Sequence, residues 1–116
     1  MKFRNICLGV LAFCASVYAD PSQLVETKVF QDAGTQIQNE QFMLVKKVGV
    51  KGDEIKKHNH PGYSILLTMV RGDITVMIGD QTFDLKSGQV LSFDGENFIS
   101  AKYNKKSEFY FTLIKK

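Results

Sequence analysis

His58 and His60 are the only two histidines of the chain, separated by Asn59 alone. Imidazole titrates near neutral pH and donates well to divalent transition metals. Two of them in one short segment can therefore act as metal ligands or as a general base. On an extended strand alternate residues share a face, about 6.6 Å apart at Cα from a rise of about 3.3 Å per residue. Both rings can then lean toward one cation while Asn59 faces away. Two imidazoles alone make a weak site, which water or carboxylates must complete. Glu96, Asp94, Tyr63 and Glu54 are the oxygen donors in question. Without a metal, the pair serves as hydrogen-bonding groups at a pocket mouth. Ser64 and Ser100 lack a triad-like acid or a nucleophile-elbow pattern, so nucleophilic catalysis has little support.

The segment that carries this pair belongs to a domain preceded by a leader. Lys2 and Arg4 make a basic start, Ile6 to Phe13 form a short apolar run, and Val17-Tyr18-Ala19 precede a cut before Asp20. This is the pattern of a cleavable secretory signal peptide over 1–19, too short for a membrane span. Its removal from the 116 residues leaves 97, the size of one small domain over 20–116. Cys7 and Cys14 leave with it, so the mature domain has no disulfide and relies on its core or on a partner chain. Two of the 15 basic residues also leave, so 13 remain against 12 acidic ones, a net charge of +1. That balance argues against nucleic acid as a partner. Lys46-Lys47, Lys56-Lys57 and Lys105-Lys106 read as solvated strand ends and loops. The expectation is a secreted, periplasmic protein with no stable membrane insertion after cleavage.

The mature segment reads as short β-runs separated by glycine-containing turns, an all-β signature. The predicted strands are Leu24–Phe30, Gln41–Val50, Glu54–His58, Tyr63–Arg71, Ile74–Ile78, Thr82–Leu85, Val90–Phe93, Phe98–Tyr103 and Glu108–Ile114. The turns around Gly72, Gly79, Gly88 and Gly95 each offer a residue able to take positive φ. Alternation places Ile74, Val76 and Ile78 on one face, as it does Phe109, Phe111 and Leu113. Tyr110 and Ile114 on the opposite face of that last strand predict cover on both sides. Nine phenylalanines predict a substantial core, each worth about 1.5–3 kcal/mol when fully buried. Arg71-Gly72-Asp73 spells an adhesion tripeptide, but Gly72 is accounted for by its turn.

Residues 52–104 resemble the cupin family, a small jelly-roll β-barrel. Its first motif runs glycine, five residues, His-x-His, three or four residues, glutamate, six residues, glycine. Gly52, His58, His60 and Gly72 match it, while Ile65 stands where the metal-ligating glutamate is expected. The second motif begins well at Gly88, within Leu85-Lys-Ser-Gly-Gln89. Asp94 then replaces its proline, Gly95-Glu96 shift its glycine, Ile99 stands at its histidine, and Asn104 lies one place from its asparagine. The resemblance implies a cupin-type jelly-roll β-barrel and, from two of the four usual ligands, a degenerate metal site.

With Ile65 and Ile99 at ligand positions, the predicted pocket is mostly apolar, lined by Tyr63, Ile65, Leu67, Met69, Ile99 and Phe111, with the histidines at one end. Glu96, in the loop that precedes the family's third ligand, is the candidate to join His58 and His60 on a metal. Iron, manganese, nickel, copper or zinc are the ions implied. The preferred reading is a small-molecule-binding barrel. One alternative is a metal-dependent enzyme of dioxygenase or isomerase type; another is a structural dimer module whose pocket is closed by side chains. The resemblance also implies homodimerisation, with Leu24–Phe30 as an edge-pairing or exchanged element.

Overall fold

The computed structural model describes residues 27–116; the expected leader, its expected cut site and both cysteines lie outside them. Nine strands follow one another: β1 Gly34–Gln38, β2 Phe42–Gly49, β3 Glu54–His58, β4 Tyr63–Arg71, β5 Asp73–Ile78, β6 Gln81–Lys86, β7 Val90–Asp94, β8 Ile99–Tyr103 and β9 Ser107–Lys115. They form two sheets, ordered β1-β2-β9-β4-β7 and β3-β8-β5-β6. Every pairing is antiparallel. The repeated crossing between sheets is the jelly-roll arrangement, which leaves an interior between two inward faces.

Period-two alternation fills that interior. Leu67, Ile74, Val76 and Phe109 are fully buried, and Ile65, Met69, Ile99, Ala101, Tyr103 and Leu113 nearly so. Tyr103 and Phe111 flank Phe109, each with its ring centroid 5.6 Å away, a separation that favours tilted and edge-on aromatic contact. Fewer phenylalanines than expected reach this core. Among the described residues only Phe109 and Phe111 are buried; Phe83 and Phe93 border it and Phe98 is 48% exposed. Phe3 and Phe13 lie outside the described residues.

Three further expectations are corrected. The N-terminal strand lies later than predicted: Lys28–Phe30 carry no strand, Leu24–Glu26 lie outside the described residues, and β1 is Gly34–Gln38. The outer face of β9 is only half covered, with Tyr110 partly buried beside Phe30 and Ile114 41% exposed. Gly72, Gly79 and Gly88 do take positive φ, whereas Gly95 does not and is glycine for a different reason, given below.

Candidate functional site

Two features of the β3 region aim the histidines. The β3–β8 ladder pairs Ile55 with Ala101 and then His58 with Ile99, so one extra residue of β3 bulges between them. A bulge resets the in-out alternation. Ile55 and His58, three residues apart, thus both face the interior, which strict alternation forbids. The strand then stops at His58, and His60 stands in the connection to β4. The uninterrupted extended strand expected across both histidines is therefore absent. The rings nevertheless meet edge-on, with centroids 4.8 Å apart and planes at 89°.

His58 is oriented from behind. Its Nδ1 lies 2.7 Å from the Lys56 carbonyl oxygen, which can only accept, so Nδ1 carries the proton and donates it. In the neutral ring this leaves Nε2 as an acceptor. His60 is held by its backbone. Its N–H donates to Gly95 O at 2.8 Å, the Gly95 N–H donates to Tyr63 O at 2.8 Å, and the Tyr63 N–H donates to His60 O at 3.3 Å. The approach is so close that a Cβ on Gly95 would collide with His60 O and stand 2.6 Å from Tyr63 O. Burial, and secondarily the neighbouring His58, hold the His60 pKa below the usual histidine value, which favours the neutral ring.

The two rings border a cavity of about 170 Å³ between the sheets. Met43, Val45 and Lys47 of β2 wall one side and Ile55 of β3 the other, with Ile65, Phe93, Ile99, Phe111 and Leu113 behind. Of the predicted lining, Ile65, Ile99 and Phe111 stand on this wall. Leu67 and Met69 sit deeper in the packed core, and Tyr63 packs at its edge. Their places are taken by Met43, Val45, Lys47 and Leu113. Lys47 is the least expected of these. Within Lys46-Lys47 it read as a solvated strand end, yet the register sets it opposite the fully buried Phe109. Only Lys46 points outward, to Glu108. The alternation of Met43, Val45 and Lys47 along β2 is the sequence signal that identifies this inner face.

Glu96 does not join the histidines. Its Oε2 accepts the Gly62 N–H at 3.0 Å, and its carbonyl accepts Asn59 Nδ2 at 3.3 Å, so the residue ties the β7–β8 turn to the β3–β4 connection. Asp94 is engaged as well, by the Glu96 N–H and the Lys116 ammonium, at 2.9 Å each, and both lower its pKa. Among the described residues, no three His, Cys, Asp or Glu side chains converge to hold a metal. Ile65 and Ile99, which the resemblance to cupins sets at the remaining ligand positions, are 2% and 1% exposed and purely apolar. The donor set therefore does not fit the family's four-ligand centre, nor one built from His58, His60 and Glu96.

No protein-family model and no curated protein matches the sequence. Solved structures do match in shape. A cupin superfamily protein from Desulfitobacterium hafniense shares 14% identity, with 82% of this chain covering 87% of that one at a TM-score of 0.67. A double-stranded β-helix protein from Klebsiella pneumoniae shares 16%, with 87% covering 91% at 0.67. An RmlC-like cupin from Methanocaldococcus jannaschii shares 15%, with 78% covering 85% at 0.66. At these identities the likeness speaks to fold. Together with the two antiparallel sheets and the His58–His60 segment, it identifies the described chain as a small cupin-type jelly-roll barrel.

Proposed function

We propose that this barrel binds a small apolar molecule between its sheets, with His58 and His60 as polar contacts at one end, and that it does so without a resident metal. The observation that carries the reading is the cavity itself, whose wall joins apolar side chains from six strands to an oriented pair of imidazoles. A mostly apolar hollow with a few fixed polar groups is the usual form of a small-molecule site. Its volume is close to that of engineered apolar cavities of about 150 Å³ that take up benzene. A ligand of that size fits without moving a strand. A module whose pocket is closed by side chains has no use for such a hollow. The leader pattern of residues 1–19 supports export, with binding taking place in the periplasm.

Benzyl alcohol is a suitable neutral probe. Titration followed by methyl NMR should move the Val45, Ile55, Ile65 and Ile99 signals and leave Ile74 and Val76 in place. Unmoved cavity signals at millimolar probe would overturn the binding reading. The metal-free half of the proposal is tested separately, by elemental analysis of protein purified without an affinity tag. Stoichiometric metal that disappears in a His58→Ala, His60→Ala double variant would replace this reading with a metalloenzyme.

A further inference from the structure

The cavity wall carries a cation that neither the core nor the histidine pair explains. Lys47 faces inward from β2, on the same face as Met43 and Val45, and its ladder partner is Phe109, which is 0% exposed. Lys47 is only partly buried, but a cation set on a mostly apolar wall invites a counter-charge. The lysine beside it shows the ordinary solution: Lys46 points outward, pairs with Glu108 and donates to the Gln31 carbonyl at 3.0 Å. Among the described residues Lys47 has neither an ion pair within 4 Å nor a hydrogen bond from its ammonium. Lys47 also lines a second, more open pocket that Asp53 and Glu54 share, but neither carboxylate comes within ion-pairing distance of it. No aspartate or glutamate lines the cavity.

We propose that the ligand of this barrel is a small monocarboxylate, its carboxylate on the Lys47 ammonium and its apolar body against Val45, Ile65, Ile99 and Phe111. This rests on the binding reading above and assigns the chemical class of the ligand. The orientation follows from the donors. His58 has committed its Nδ1–H to Lys56 O, so that donor is not free for an anion in the cavity. The carboxylate end therefore belongs at Lys47, and the histidine end meets a neutral part of the ligand.

Three probes of one size separate charge from fit: benzoate, benzyl alcohol and benzylamine, titrated into the full-length mature protein by calorimetry. Benzoate should bind about tenfold more tightly than the alcohol, the scale of one charge-assisted hydrogen bond, and benzylamine more weakly than either. Lys47→Met keeps most of the apolar stem and removes the charge, so benzoate and the alcohol should converge to within about twofold. Lys47→Arg should retain the preference. Thermal melts of both variants identify loss of folding, in which case the charge-retaining variant alone decides. Equal binding of benzoate and the alcohol to the native protein overturns the carboxylate assignment and leaves the binding reading intact. A preference for benzoate that survives Lys47→Met overturns the role of Lys47. Failure of all three probes to bind sinks the binding reading and this inference together.

Discussion

The barrel interior has a filled part and a hollow part, built from the same strands. In the filled part Leu67, Met69, Ile74, Val76, Tyr103 and Phe109 are at most 4% exposed, and Tyr103 and Phe111 meet Phe109 in tilted and edge-on contact. In the hollow part Met43, Val45, Ile55 and Phe93 are only partly buried. A bulge there turns His58 inward and a lysine takes an inner-face position. Phe111 belongs to both, packing edge-on against Phe109 and walling the cavity. The difference teaches that tight packing and open volume are divided in space. One part closes well enough to hold the fold, so the other can leave volume and polar groups unfilled.

The largest expected effect tests that division directly. Phe109→Ala should destabilise by about 3–5 kcal/mol, the usual result of emptying a tightly packed aromatic site. Met43→Ala, on the cavity wall, should cost less than half as much in the same urea titration. Comparable losses at the two positions would erase the distinction. A smaller effect comes from the turns. Gly72 and Gly88 have φ of 104° and 86°, so alanine at either carries a backbone strain on the order of 1–3 kcal/mol. Only at Gly72 does the new Cβ also meet the buried Ser107 side chain and Lys106 O, whereas Gly88 has open space. Gly72→Ala should therefore melt at the lower temperature of the two.

The smallest effect is a pH dependence confined to the hollow part. The His60 pKa is lowered in the folded protein, by burial first and His58 second. The unfolded chain thus binds more protons in that range. The associated stability is complete above the unfolded value of about 6.5. It falls as pH drops through 6.5 toward the folded pKa. His60→Asn should lose less stability between pH 7.5 and 5 than the native protein, and a parallel loss in both would discount the histidine. Asp73, Asp94 and Glu108 have lowered carboxylate values, so their contributions disappear at more acidic pH.

Much of the filled part was legible in the sequence because alternation is a local signal. The predicted Glu54–His58 and Tyr63–Arg71 match β3 and β4, and Ile74, Val76 and Ile78 face inward as the pattern requires. β1 was missed because Gly-Thr-Gln-Ile-Gln holds a single apolar residue, and its pairing with β2 is decided by tertiary contact. The hollow part was less legible for a related reason. A one-residue bulge leaves no mark in composition, so the inward turn of His58 was reached through an idealised strand. Glu96 was assigned by motif position, but its carboxylate answers a backbone N–H 34 residues away, a partner that only the assembled loops reveal. Lys47 was hidden by Lys46, since paired lysines resemble a solvated strand end until register separates them.

The bond from Gly62 N–H to Glu96 has one more consequence, for the order in which the molecule assembles. The His58–His60 connection is fastened by Gly95 and Glu96 of the β7–β8 turn, and its bonds to that turn each span more than thirty residues. Closing such a loop carries an entropic cost that local turns avoid. The β5–β6 hairpin can form early from neighbouring residues, while the histidine pair acquires its geometry only after β7 and β8 have docked. The proposed binding capacity should therefore appear late in refolding, and vanish early when the β7–β8 turn frays.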